Sequence, residues 1–135
     1  MFLLDTVVIS EIRKPRPHPT VAEWFDALSP ANAHLSVLTI AEIERGIARQ
    51  RITDDAFAST LERWLHVVID DFGDRVLPVS LPIGRIWGRL AQRLGRFDAD
   101  GGIAATALAH DLTVVTRNVR HFEGTGAKIL NPFEG

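Results

Sequence analysis

Five polar residues of this chain lie where a buried apolar segment would end or a helix would begin. Asp5 follows "MFLL", Glu42 lies one turn into the segment after "AHLSV", and Asp100 precedes "GGIAATA". Thr116 ends the β-branched run "LTVVT", and Asn118 follows it. Carboxylates brought together raise each other's pKa, and a group of three requires a cation. Oxygen ligands of this kind favour a hard divalent ion such as Mg²⁺ or Mn²⁺.

The segments that carry these residues predict alternating strands and helices. The expected strands are "MFLL", "AHLSV", "RVLPV", "LTVVT" and, at an edge, "AKILN". Helical periodicity between them predicts an α/β fold with a mostly parallel central sheet of about four to five strands and helices on both faces. Ligands of such sheets bind beyond the carboxyl ends of the strands. We therefore expect the polar residues to converge on one edge of the sheet.

Length and composition restrict the class of protein. The 135 residues fit one domain, 1–135, and the net charge of −2 provides no general basic surface for nucleic acid. The chain has no cysteine, which excludes disulfides, thiolate nucleophiles and cysteine-based zinc sites. Asp5 interrupts the first apolar run early, and no run approaches the roughly 18 residues of a membrane span. We expect a soluble, cytoplasmic protein.

Each acid also has a simpler structural interpretation. Asp5 would be the N-cap of a helix that starts at Thr6, and Asp98 competes with Asp100 for the cap of the small-residue helix. Neither alternative is excluded by the residues themselves. The acids of "DADGG" lack the remaining ligands of an EF-hand loop, so calcium binding of that type is excluded.

Glu42 has a structural alternative and a competing neighbour. Thr39 and Glu42 have the spacing of a capping box, in which Thr39 would be the N-cap of the helix. The apolar stripe that begins at Ile40 places Glu44 nearer to the buried edge than Glu42. Helix geometry therefore does not select Glu42 as the functional acid.

Four segments carry a resemblance to a known family. "FLLDTVVISEI", "LSVLTIAEIERGI", "DADGGIAATALAHDLTVVTRNVRHF" and "ILNPF" occur in an order and spacing that resemble the PIN-domain toxin ribonucleases of the VapC type, in particular the subgroup that includes FitB. The resemblance covers essentially the whole chain. It implies a Mg²⁺- or Mn²⁺-dependent endoribonuclease in which activated water cleaves RNA and leaves a 5′-phosphate and a 3′-hydroxyl. It also implies a type II toxin–antitoxin system with a homodimer, higher assemblies, and a VapB-type antitoxin that alone contacts operator DNA.

The resemblance assigns roles to individual residues. Asp5, Glu42 and Asp100 match the first three acids of the family, which implies that they are the catalytic and metal-binding residues. Thr6 and Thr116 match positions where a hydroxyl often lines the site. Asp98 is then expected to cap the helix or support the site from outside.

A fourth acid of the family has no clear counterpart. The segment "TRNVRHF" has Asn118 and His121 where such an acid would be sought. An amide can bind a cation or orient water but adds no negative charge. We expect one firmly bound ion, with any second ion bridged by the substrate. The histidines are too scattered to predict a metal site of their own.

Arginines provide candidate phosphate contacts. Arg85, Arg89, Arg93 and Arg96 form a stripe along one predicted helix, which is either a solvated face or a surface that contacts RNA phosphates beside the acids. Arg117, directly after the strand "LTVVT", is a second candidate for a phosphate contact.

Two other functions are alternatives to the nuclease. An aspartyl phosphotransferase would need a second aspartate two residues after Asp5 and a reactive lysine, but the chain reads "DTV" and has only Lys14 and Lys128. A non-catalytic binding or regulatory module with the same fold remains the alternative. The apolar face around "FASTLERWLHVVI", with Trp24 and Trp87, would serve either self-association and antitoxin docking or the core.

Overall fold

A five-stranded parallel sheet forms the centre of the molecule. The structure is a computed structural model that describes residues 1–134, so the last residue of the predicted domain, Gly135, lies outside the described residues. The strands are β1 Phe2–Leu4, β2 Ala33–Ser36, β3 Val76–Leu77, β4 Thr113–Val115 and β5 Lys128–Leu130. They are hydrogen-bonded in the order β3-β2-β1-β4-β5. All neighbouring pairs are parallel, and the edge position predicted for "AKILN" is confirmed.

Helices cover both faces because the strands alternate the direction of their side chains. The helices are α1 Thr6–Arg13, α2 Pro19–Ala27, α3 Val37–Thr53, α4 Asp55–Phe72, α5 Leu81–Leu94, α6 Ala99–His110 and α7 Val119–Phe122, with 3₁₀ turns at Pro30–Asn32 and Gly73–Arg75. Leu4 and Val115 belong to a core with α1 to α4, whereas Leu3 and Val114 belong to a core with α5 to α7. The predicted α/β fold is therefore confirmed.

The order of the strands determines where a ligand can bind. The chain starts in the middle of the sheet with β1, moves outwards through β2 and β3, and then crosses to β4 and β5 on the other side. The carboxyl ends of β1 and β4 therefore flank the point at which the strand order reverses. Crevices at this point are the usual ligand sites of open α/β sheets.

The glycines at the start of α6 allow that helix to pack closely on its neighbours. A Cβ atom at Gly102 would lie 2.3 Å from a methyl of Leu38 and 3.1 Å from the ring of Trp87. The indole of Trp87 also stacks on Phe97, with ring centroids 4.6 Å apart. The small residues of α6 thus serve packing, and Trp87 belongs to this packing.

One predicted cap is wrong. The helix that carries Glu42 begins at Val37, and its N-cap is Ser36, whose hydroxyl accepts a hydrogen bond from the Leu38 amide at 3.0 Å. Thr39 is fully buried inside the first turn. The capping-box interpretation of Glu42 is excluded, because the serine that ends β2 caps the helix one turn earlier. Within residues 1–134 no helix has the length and hydropathy needed to cross a membrane.

Candidate active site

Asp5 is both a helix cap and the most buried acid at the β1–β4 junction. Its side chain accepts hydrogen bonds from the Thr6 amide on Oδ1 and from the Thr116 hydroxyl on Oδ2, both at 2.8 Å. The Asp5 amide donates to the carbonyl of Val115 at 2.9 Å, which ties the residue to β4. With 4% of its surface exposed, Asp5 is held in one position by both neighbouring elements.

Glu42 reaches the same junction from α3. The hydroxyl of Thr6 donates a hydrogen bond to Glu42 Oε1 at 2.7 Å, so the first residue of α1 contacts both acids. Glu44 is exposed, although the apolar stripe had placed it nearer to the buried edge. That expectation is wrong because the neighbour of Glu42 is α1, a tertiary contact that the periodicity of a single helix does not reveal.

The two candidate acids of α6 have separate tasks. Asp98 is the N-cap: it accepts hydrogen bonds from the Gly101 amide at 2.9 Å and from the Arg96 guanidinium. Burial acts to raise the pKa of Asp98, but these two donors outweigh it and hold the pKa below its usual value. Asp100 lies in the first turn, where its Oδ2 is 2.8 Å from Nδ1 of His121.

The three acids influence one another electrostatically. Burial raises the pKa of Asp5 from 3.8 to about 6 against the opposing hydrogen bonds from Thr116 and Thr6, and the charges of Asp100 and Glu42 raise it further. The donor set fits a hard divalent ion, because it consists of carboxylates that repel one another around a buried member. In the positions they occupy, no three acidic or histidine side chains of residues 1–134 enclose a common ion site.

Comparison with known proteins assigns the chain to a family. Residues 2–127 match the PIN domain family. The chain belongs to the PIN-domain family. The family identified from the sequence is thus confirmed.

Two relatives and two solved structures match the chain over nearly its whole length. The chain is 39% identical over 143 aligned positions to the VapC ribonuclease Y4jK of Sinorhizobium fredii, with 99% of each chain covered. It is 36% identical over 139 positions to the toxin FitB of Neisseria gonorrhoeae, covering 98% of this chain and 99% of FitB. The crystal structure of FitAcB from Neisseria gonorrhoeae has a TM-score of 0.87 at 35% identity, with both chains fully covered. A structure of FitAB bound to an IR36 DNA fragment has a TM-score of 0.86 at 33% identity, covering 100% of this chain and 97% of that one.

The polar residues that follow the carboxyl end of β4 in this PIN domain make different contacts with Asp5. Thr116 is buried, and its hydroxyl accepts a hydrogen bond from the Asn118 amide at 3.0 Å while it donates to Asp5. The side chain of Asn118 is exposed and makes no capping hydrogen bond to α7, although the residue occupies the N-cap position. Asn118 therefore contacts the junction through its backbone.

The predicted arginine stripe of the PIN domain divides into two pairs. Arg93 donates hydrogen bonds to the carbonyl of Gly124 at 3.1 Å, and Arg96 donates to the carbonyl of His121 and to Asp98. These two residues therefore attach the segment around α7 to α5 and α6. Arg85 and Arg89 are exposed and form no ion pair with another described side chain. Contacts of these two arginines with RNA phosphates stay a prediction.

Arg117 occupies a separate part of the surface. Its guanidinium carbon lies 4.5 Å from the centroid of the Phe133 ring, so the side chain packs against the C-terminal segment. The residue remains exposed, and its contact with a substrate phosphate stays a prediction.

The contact between His121 and Asp100 was not predicted. No spacing in the sequence links a histidine to an aspartate 21 positions earlier, and α7 is a single short turn. The only signal was the position of His121 in "TRNVRHF", where a fourth acid had been sought. The structure places at this position a neutral or cationic partner for the third acid.

An open groove of the PIN domain is lined at one end by Thr6 and Glu42. Its volume is about 370 Å³, and it runs between α1, α3 and α4 from Thr6 and Glu42 to Trp64. The Arg13 guanidinium carbon lies 5.8 Å from the Trp64 ring centroid on its wall. The groove gives Glu42 an opening to solvent.

Proposed function

We propose that this PIN domain is a Mg²⁺- or Mn²⁺-dependent endoribonuclease that acts as the toxin of a type II toxin–antitoxin pair. The observation that carries the proposal is the buried carboxylate of Asp5 at the β1–β4 junction, whose pKa is raised by burial and by the charges of Asp100 and Glu42. A buried acid with two acidic neighbours is unfavourable unless a cation joins them. The ribonuclease and toxin names of the full-length relatives support the same activity.

Asp5, Glu42 and Asp100 would hold the ion. When bound, a divalent cation supplies positive charge for the scissile phosphate and lowers the pKa of a water molecule that it coordinates. Asp5 provides the fixed point, because Thr6 and Thr116 orient both of its oxygens. Glu42 reaches it from α3 with its carboxylate oriented by the Thr6 hydroxyl.

The protonation state of Asp5 determines at which pH the site can bind a divalent ion. With a pKa of about 6, Asp5 is ionised at neutral pH and increasingly neutral below that value. We therefore expect the affinity for the divalent ion to decline as the pH falls through about 6, because protons and the ion compete for the carboxylate of Asp5. One of the three acids can also accept the proton of the attacking water in the absence of another base.

The test is a cleavage assay on single-stranded RNA with Mn²⁺, Mg²⁺ or EDTA. We expect the Asp5→Asn, Glu42→Gln and Asp100→Asn variants to lose about 100- to 1,000-fold of the activity, since each removes charge directed at the reacting phosphate. Two exposed acids serve as matched controls: Glu44→Gln on α3 and Asp111→Asn at the end of α6.

The products give a second criterion. Hydrolysis by activated water leaves a 5′-phosphate and a 3′-hydroxyl, whereas attack by the RNA 2′-hydroxyl would leave a 2′,3′-cyclic phosphate. A cyclic product, or activity in EDTA equal to that in Mn²⁺, would contradict the proposal. Metal binding without cleavage of any RNA tested would favour the non-catalytic module.

We further propose that the chain pairs with a VapB-type antitoxin and meets operator DNA only through it, within a homodimeric or higher assembly in the cytoplasm. The similarity to FitAB bound to a DNA fragment supports this proposal. Exposed apolar residues of α4, Val67 and Ile69, supply surface for association. Trp24 does not, because it packs edge-on against Phe2 in the core. Co-expression with the adjacent gene product, followed by size-exclusion chromatography, tests the pairing.

A further inference from the structure

His121 is the side chain that contacts Asp100. Nδ1 of His121 lies 2.8 Å from Asp100 Oδ2, and no other side-chain or backbone donor of residues 1–134 bonds to this carboxylate. Because an ionised carboxylate only accepts hydrogen bonds, Nδ1 is the ring nitrogen that carries the hydrogen. The ring itself is 61% exposed.

The backbone fixes the place of this exposed ring. Phe122, the next residue, is 1% exposed in the core beneath α6, so α7 cannot move freely. The Arg96 guanidinium donates both to the carbonyl of His121 and to the carboxylate of Asp98. Asp98 in turn caps α6, whose first turn carries Asp100. The contact between His121 and Asp100 thus closes a ring of interactions that joins α7 to the start of α6.

The same arrangement recurs at the other two acids. The Thr116 hydroxyl donates to Asp5, and the Thr6 hydroxyl donates to Glu42. Each of the three acids therefore has one side-chain donor from a different element of the fold. Hydrogen bonds of this kind orient the carboxylates that bind metal ions, and their loss weakens the sites. The two threonines follow a hydroxyl pattern of the family, whereas His121 stands near the place of an acid.

We propose that His121 is a positioning residue for Asp100: its Nδ1 hydrogen bond occupies one carboxylate oxygen and orients the other for the divalent ion. The inference rests on the proposed function, because it takes Asp100 as a ligand of that ion. His121 thus orients the third acid, Asp100, and does not add a further negative charge to the site. Arg96 holds α7 in place through its hydrogen bond to the His121 carbonyl.

Calorimetric titration with Mn²⁺ alone tests the proposal on the full chain. In His121→Asn the amide nitrogen lies near the position of Nδ1, whereas in His121→Gln it lies near the position of Nε2. We expect His121→Ala and His121→Gln to bind Mn²⁺ about 10-fold more weakly, and His121→Asn to keep the wild-type affinity. Circular dichroism melting of each variant checks that the fold is unchanged.

Two controls separate this inference from the proposed function. His66→Ala removes an exposed histidine of α4 and should leave Mn²⁺ affinity unchanged, while Asp5→Asn should abolish binding. If wild type binds Mn²⁺ and His121→Ala binds it equally well, the positioning role is wrong while the ion site stands. Equal losses in His121→Asn and His121→Ala would also overturn it. A wild-type protein that binds no Mn²⁺ would overturn the metal-dependent function and this inference together.

Discussion

The two sides of the β1–β4 junction hold their acids in different ways. On the β1 side, Asp5 is 4% exposed, and both carboxylate oxygens accept hydrogen bonds from the protein. On the α6 side, the Asp100 side chain is 22% exposed, and only His121 bonds to it among the described residues. One acid is fixed in the core at an electrostatic cost, and the other is partly exposed and bonded to a single side chain.

Because of this difference, we expect Asp5 and Asp100 to have different effects on the stability of the folded protein. Burial of a carboxylate raises its pKa and makes the charged form unfavourable, so Asp5 should destabilise the metal-free protein at neutral pH. Asp100 keeps part of its side chain in contact with solvent, and it lies in the first turn of α6, where a negative charge interacts favourably with the helix dipole. The two acids would be equally necessary for activity and yet opposite in their effects on folding.

The largest expected effect is the pH dependence of stability caused by Asp5. Its pKa is about 6 in the folded protein, above the value of 3.8, so the folded state binds more protons between these values. Stability is therefore greatest below pH 4 for this group and falls by up to about 3 kcal/mol as the pH rises through 6. Urea unfolding in EDTA at several pH values measures it. Asp5→Asn should remove this component, because an amide at this position does not titrate; an identical pH profile would contradict the burial argument.

A smaller effect is expected from the packing below Asp100. The extra methyl of Gly102→Ala would meet Leu38 at 2.3 Å and Trp87 at 3.1 Å, so we expect a loss of about 1–3 kcal/mol in the free energy of unfolding. Gly88→Ala on α5 has open space around it and should stabilise by about 0.5–1 kcal/mol. Chemical denaturation measures both variants. Equal stabilities of the Gly102→Ala and Gly88→Ala variants would show that α6 can shift without cost, so that close packing does not fix its position.

Asp100→Asn tests directly whether the two acids affect stability in opposite directions. Loss of a partly exposed carboxylate in the first turn of α6 removes a favourable interaction with the helix dipole of about 0.3–1 kcal/mol. We therefore expect slight destabilisation in EDTA at pH 7, where Asp5→Asn stabilises. A gain in stability as large as that of Asp5→Asn would mean that the charge of Asp100 is as unfavourable in the folded protein as the charge of Asp5.

The smallest effect concerns the arginines of α5. If Arg85 and Arg89 contact RNA phosphates, each Arg→Ala change should reduce the slope of log affinity against log salt by about 0.7, without changing the melting temperature. Arg93→Ala should instead lower the melting temperature, because it loses the hydrogen bond to the Gly124 carbonyl. Fluorescence anisotropy with labelled RNA measures the slopes, and unchanged slopes would assign the Arg85–Arg89 pair to an ordinary solvated surface.

The sequence predicted the architecture well because local patterns determined most of it. The runs "AHLSV" and "LTVVT" gave β2 and β4 close to their observed bounds. The cap of α3 was misplaced because Ser36 and Thr39 are both good N-cap residues, and the choice depends on where β2 leaves the sheet.

The candidate site was less accessible to sequence reasoning because its contacts are tertiary. Asp5 was identified by its place after a strand, and the structure shows that its capping role and its place among the acids coexist. Glu42 was selected over Glu44 only by family resemblance, since the contact with Thr6 crosses 36 positions of the chain. His121 lay beyond any periodic pattern, and only the packing of α7 brings it to Asp100.

The two outer strands of the sheet, β3 with two residues and β5 with three, restrict how copies of this protein can meet. A neighbouring molecule that tried to extend the sheet would find few free amide and carbonyl groups along either border. We consequently expect assembly to proceed through side chains on the helical surfaces. The residues that determine its specificity can then change without disturbing the hydrogen bonds of the central sheet.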